Sequence, residues 1–156
     1  MHADRMTANY PPEHFLNREL SLLQFQRRVL AQAADPTVPL LERLRFLCIV
    51  SSNLDEFFEI RVSGIKEQIR SGSRKSGEDG IAPVELLERV SDEVHEIISE
   101  QYQLLNGDIL PALEKEGVVF PRRSLWTEAQ RAWIHEYFMR EVMPVLTPIG
   151  LDPAHP

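Results

Sequence analysis

Residues 39–62, PLLERLRFLCIVSSNLDEFFEIRV, decide the fold of this chain. Leu40, Leu41, Leu44, Leu47 and Cys48 recur at helical spacing, and Phe46, Ile49 and Val50 broaden the apolar face they make. A helix apolar on most sides is a central one, so Cys48 reads as a small core residue. Pro39 suits the first turn, because its missing N–H is not needed there. The polar trio Ser51-Ser52-Asn53 then interrupts the pattern. Asn53 with Glu56 three residues later has the spacing of a helix cap, which predicts a break here and a third helix from Leu54. Leu54, Phe57, Phe58, Arg61, Val62, Ile65 and Ile69 carry that helix onward.

Upstream, Leu20 to Ala34 reads as the first helix. Ser21 and Gln24 have capping-box spacing, and Leu22, Phe25, Val29 and Ala33 form one apolar face. Asp35-Pro36 ends it, because a residue before proline is pushed out of the α region. Downstream, SGSRKSGEDG at 71–80 reads as an exposed, mobile loop. Pro83 opens the longest helix, with Leu87, Val90, Val94, Ile97, Gln101, Leu104 and Leu105 on a near-heptad seam and acidic residues opposite. Gly107 and Pro111 are expected to kink it. Beyond Gly117 the texture changes: Val118-Val119-Phe120 is strand-like, Thr127 with Gln130 caps a helix running to Val142, and Val145 to Leu151 reads as a second strand. Two short strands do not make a sheet. The expected architecture is therefore mainly α, a helical bundle with one long helix over residues 1–117. A truncated strand-helix-strand start of an α/β domain follows over 118–156.

Composition narrows the class. The chain has 156 residues, 43% hydrophobic and 26% charged, which is enough apolar material for a core and excludes disorder. No run approaches the apolar length of a membrane span, and Met1 to Pro12 lacks the apolar region of a secretory signal. A single cysteine cannot form an internal disulfide. A cytoplasmic protein is expected, with at most peripheral membrane association. The net charge of −7 is uneven: residues 1–76 hold 11 Lys/Arg against 9 Asp/Glu, and residues 77–156 hold 6 against 15. No basic domain or stripe is present, so nucleic acid is not an expected partner.

Local chemistry is sparse. Neither glycine-rich phosphate loop occurs, nor HExxH. Asp92 and His95 have the spacing of half a bundle metal site, but Ala132 stands where His135 would need its acidic partner. His2, His14, His95, His135 and His155 do not cluster in sequence. No catalytic residue and no metal ligand is expected in this chain.

The segments Asn17-Arg18-Glu19-Leu20-Ser21, PLLERLRFL at 39–47 and SSNLDEFFEIRV at 51–62 together resemble the N-terminal helical domain of the long, multidomain bacterial polyphosphate kinases. VMPVLTPIGLDPAHP at 142–156 is similar to the family's entry into its second, or head, domain. In the family that chain normally runs on past the last proline, so the sequence is expected to be cut within that domain. Leu22 stands where the pattern often has tryptophan. The resemblance implies an enzyme that reversibly transfers the terminal phosphate of ATP to polyphosphate through a phosphohistidine. It implies ATP/ADP and polyphosphate as partners, Mg2+ as cofactor and a homo-oligomeric full-length form. It also implies that the histidine, the metal-binding residues and the polyphosphate tunnel lie in later domains. These 156 residues alone are expected to be inactive, and His155 does not match the catalytic position.

One position carries over. Asn53 matches a residue that contacts the nucleotide, in a domain that closes over the adenine end of ATP. An amide offers two donors and an acceptor, which suits an adenine edge; the competing reading is that Asn53 only caps a helix. Asp55 and Glu59 share a helical face, and Asp55 and Glu56 in a first turn would complement the helix dipole. Arg18, Arg27, Arg28, Arg43, Arg45 and Arg61 either border a phosphate passage or pair with the glutamates among them. The alternative to the kinase reading is a stand-alone helical interaction or dimerisation module.

Overall fold

The computed structural model describes residues 10–73 and 75–147, and in it the first helix, α1 (Arg18–Ala34), begins one turn before Ser21. Asn17 is the cap: its Oδ1 accepts the Leu20 N–H at 3.0 Å, and its Nδ2 donates to Asp79 Oδ2 at 2.7 Å. Ser21 instead turns its hydroxyl back to the Asn17 carbonyl, at 2.6 Å. The Asn17–Asp79 bond fastens the predicted loop to the start of α1. At the far end Asp35 closes α1. Its carboxylate accepts from the Thr37 hydroxyl and N–H at 2.7 and 2.8 Å, and these bonds hold it below the usual carboxylate pKa.

The chain forms two compact units, Met1–Val118 and Val119–Pro156. The first holds α2 (Leu40–Phe57), α3 (Ser63–Arg70), α4 (Pro83–Leu104) and α5 (Leu110–Lys115); α1, α2, α4 and α5 share one core, and α3 packs against α4 with Ile65 buried. The face α1 buries is Leu23, Gln26, Leu30 and Ala33. Only Ala33 belongs to the predicted set; Leu22 and Val29 pack at the edge, and Phe25 is 47% exposed. On α2 the buried residues are Arg43, Leu47, Val50, Leu54 and Phe57. Cys48 is exposed, contrary to its reading as a core residue, because the inward face runs through Leu47 and Val50 on either side of it. The seam of α4 is as expected at Val90, Val94, Ile97 and Gln101.

The predicted break at Ser51-Ser52-Asn53 does not occur. α2 runs through all three, because neighbouring helices bond Ser51 and Asn53 while Ser52 faces solvent. Gln101 Nε2 donates to Ser51 Oγ at 2.7 Å and to the Leu47 carbonyl at 2.9 Å, while Asn53 Nδ2 donates to Gln26 Oε1 at 2.9 Å. Asn53 is therefore an interior helix residue, and no backbone N–H among the described residues bonds its oxygen. The first-turn dipole reading of Asp55 and Glu56 fails for the same reason.

Among the described residues three π-helical turns interrupt the helices, at Phe58–Val62, Leu105–Ile109 and Phe138–Val142. Two stand just before Pro111 and Pro144. Proline lacks the N–H for an α bond and crowds the carbonyl four residues back, which a wider turn relieves. The turn at Phe58–Val62 has no proline, and its effect is on register. Buried positions step from Phe57 to Val62 and then Ile65, a gap of five where an α-helix would bring Arg61 inward. The extra residue leaves Arg61 outside the core. Deleting Glu59 should restore a continuous α-helix with Val62 and Ile65 still inward, at a cost of about 1 kcal/mol. Thermal unfolding followed by circular dichroism checks this; loss of the cooperative transition would show that the wider turn is required for folding.

Two arginines tie helices together. Arg27 of α1 reaches Glu93, Glu96 and Glu100 of α4, the last two at 2.6 and 2.9 Å. The Glu93 bond, more than its burial opposes, pushes the guanidinium pKa above its usual value. Arg43, 6% exposed, donates its Nε to the Ala33 carbonyl at 2.7 Å and pairs with Asp108. Gly117, at φ 82°, ends α5 in the left-handed region that glycine adopts without strain, and Val118 N–H closes back on the Leu113 carbonyl at 2.9 Å.

In the second unit Thr127 and Gln130 form the expected capping box, opening α6 (Glu128–Tyr137). The predicted strands are absent from the described residues. Val119-Phe120 is irregular and exposed, as is Val118 at the end of the first unit. Val145 ends a 3-10 turn, Met143–Val145. A strand needs a paired neighbour, and none is present among these residues. Residues 148–151 of the second predicted strand, and His155, lie outside the described residues. No described residue of this unit is buried; Trp133 and Tyr137 stack on each other with centroids 5.4 Å apart.

Candidate functional site

A cleft of about 270 Å³ opens between α1 and the end of α2. Leu22 and Phe25 supply one apolar wall, and Phe57 and Ile60 the other. Gln26 and Asn53 bring the amide pair to it, and Glu56 and Arg61 bring opposite charges. Helical spacing from α2 places Asn53, Glu56 and Phe57 on one face, and the π-helical turn sets Ile60 and Arg61 beyond them. Arg28 lies over the Phe25 ring, 5.6 Å from its centroid, within cation–π range.

The amide pair has a definite hydrogen-bonding balance. One N–H of Asn53 is used by Gln26, which leaves the second N–H, the Asn53 oxygen and the Gln26 amino group. Apolar walls flanking these amide donors and acceptors suit a heteroaromatic ring better than an aliphatic ligand.

Of the residues singled out from sequence, Asn53, Glu56 and Arg61 come together here, while Asp55 and Glu59 are exposed and outside the cleft. The arginines divide. Arg27, Arg43 and Arg45 pair with carboxylates, Arg28 sits over an aromatic ring, and Arg18 borders a separate recess beside the loop. Arg61 lines the cleft and has no ion-pair partner among the described residues. His95 bonds the Ser91 carbonyl of its own helix at 2.7 Å. No group of three or more His, Cys, Asp or Glu among the described residues is placed to hold a metal. Gln26 was not singled out; its signal is a polar residue in register with the buried Leu23, Leu30 and Ala33.

Residues 15–121 match the model of the polyphosphate kinase N-terminal domain. The chain belongs to this family. Over 97% of its length it is 53% identical to a polyphosphate kinase of Burkholderia vietnamiensis and 52% identical to one of Paraburkholderia phytofirmans. It spans only 22% of either relative. The crystal structure of a polyphosphate kinase from Porphyromonas gingivalis superposes with a TM-score of 0.73 at 30% identity, over 94% of this chain and 20% of that one. The helical architecture of a polyphosphate kinase N-terminal domain thus accounts for the cleft's two walls, whose residues all lie within the matched segment. No helix among the described residues is long and apolar enough to cross a membrane.

Proposed function

We propose that the complete protein reversibly transfers the terminal phosphate of ATP to polyphosphate, and that the cleft at Asn53 receives the adenine end of the nucleotide. The observation that carries the second part is the Asn53 carboxamide, held by Gln26 between the apolar walls of Leu22, Phe25, Phe57 and Ile60. An adenine ring buries its faces against such walls and offers its edge to an amide. Arg61 adds a positive charge on the same cleft, toward which a phosphate tail is drawn. The phosphorylated histidine and the Mg2+ that accompanies ATP belong to the proposed later domains, and no step of the transfer is assigned to residues of this chain.

Asn53→Asp in the complete protein tests the cleft. The aspartate keeps the size of the side chain and can accept from the Gln26 amino group, but it removes the N–H donors and adds a negative charge near the nucleotide. The KM for ATP should rise roughly tenfold, for one contact of about 1–1.5 kcal/mol, with little change in melting temperature. Asn53→Ala should raise KM similarly and also cost about 1 kcal/mol of stability through the lost Gln26 bond. An unchanged KM in Asn53→Asp would leave Asn53 a purely structural residue.

A further inference from the structure

Three polar side chains that line the cleft follow one another along α2 and its extension in a fixed order. Asn53 comes first, Glu56 follows about one turn later on the same face, and Arg61 stands in the π-helical turn. The step from Asn53 to Glu56 is about 4.5 Å along the helix axis. Neither charge is engaged within the protein. Glu56 is exposed and makes no hydrogen bond or ion pair among the described residues, whereas Glu42 of the same helix pairs with Arg45. Arg61 is half-buried and has no such partner among them either. The cleft therefore presents an amide, a carboxylate and a guanidinium in sequence, beside the apolar walls of Leu22, Phe25, Phe57 and Ile60.

We propose that Glu56 accepts hydrogen bonds from the ribose hydroxyls of the nucleotide and so selects ribonucleotides over 2′-deoxyribonucleotides. This rests on the reading of the cleft as the adenine site. A nucleotide carries a polar base edge, then two neighbouring hydroxyls, then anionic phosphates, which is the order of partners that the cleft supplies. An ionised carboxylate only accepts, and its two oxygens can take two donors side by side. A ribose diol offers two such donors, and hydrogen bonds to a charged acceptor are the stronger kind. The phosphates fit the other end, where Arg61 is the cation and a carboxylate would repel them. A site that hydrogen-bonds a substrate hydroxyl rejects the analogue that lacks it. Glu56 touches the sugar alone in this scheme and takes no part in the transfer.

The complete protein tests this, with polyphosphate synthesis measured from ATP and from dATP. The two carry the same base and phosphates, so the ratio of their KM values reads the 2′-hydroxyl alone. The wild-type KM for dATP should exceed that for ATP about tenfold. Glu56→Ala should raise the KM for ATP and bring the ratio to about one, with an unchanged melting temperature because Glu56 is exposed. Glu56→Gln keeps one acceptor oxygen without the charge and should hold the ratio above that of alanine. A packing role would not show that rescue, and a role through charge alone would move both KM values together and leave the ratio where it was. A wild-type ratio near one overturns the proposal, as does an unchanged ratio in Glu56→Ala or a glutamine variant no better than alanine. Asn53→Ala separates the two levels. If it raises the KM for ATP while the Glu56 variants leave the ratio alone, only the ribose contact fails. If it leaves the KM for ATP unchanged, the adenine site itself fails and the proposal with it.

Discussion

Truncating Ile97 to alanine should lower the unfolding free energy of the helical unit by about 3–4 kcal/mol. Ile97 is fully buried on α4, one helical turn from both Val94 and Gln101, in the core that α1, α2 and α4 share. The loss has two parts. Three carbons lose their burial, at about 0.8 kcal/mol each, and a cavity remains that the surrounding helices fill only in part. They are fastened across that core by Arg27 to Glu93, Glu96 and Glu100, and by Gln101 to Leu47 and Ser51, which limits collapse. Ile97→Val should cost only about 1 kcal/mol. Urea unfolding of both variants gives the comparison, and a cost below about 1.5 kcal/mol for alanine would show that the helices close the gap.

Arg43→Ala should cost about 2–3 kcal/mol. The guanidinium satisfies the Ala33 carbonyl at the end of α1 and pairs with Asp108 in the π-helical turn after α4, so one side chain joins three helical segments. Asp108 is half exposed and regains water when the arginine is removed. The Ala33 carbonyl loses its side-chain partner, and the buried stem of the arginine leaves a gap. Arg43→Met restores most of the packing without the hydrogen bonds and should recover about half of the loss. Equal destabilisation by alanine and methionine would assign the whole effect to the polar contacts. No destabilisation by either would make the pair an exchangeable surface contact.

These helices differ in how readily the sequence discloses them. The α4 seam is legible because Val90, Val94 and Ile97 repeat on one face of a long segment whose other residues are largely polar. The buried face of α1 is not, because one of its four positions is Gln26 and because Phe25, the largest apolar residue of the helix, lines the cleft. Counting hydrophobic residues selects Phe25 and passes over Gln26, which reverses their places. The same blindness produces the false break at Ser51-Ser52-Asn53. Three polar residues look like an interruption until Gln101 and Gln26, 50 and 27 positions away, are seen to bond two of them. The strand reading of Val118-Val119-Phe120 fails because β-propensity there has no partner among the described residues. Asn53, Glu56 and Arg61 stand out in one motif, but their meeting with Leu22, Phe25 and Gln26 is a tertiary fact. Local spacing carries no trace of it.

Around Arg27 three carboxylates meet one guanidinium, so this flank of α4 keeps two formal negative charges in excess. Glu88 and Asp92 lie on the same helix, where Arg89 pairs with Glu85. Any polyanion that nears that flank meets repulsion within a screening length, about 8 Å at physiological salt. The cleft, lined by both Glu56 and Arg61 with no ion pair on Arg61 among the described residues, carries no such excess. The clamp that fastens α1 to α4 thereby leaves a local field that repels polyanions and offers them no hold. Such repulsion fades as salt rises and is felt in association rates before it is felt in affinity.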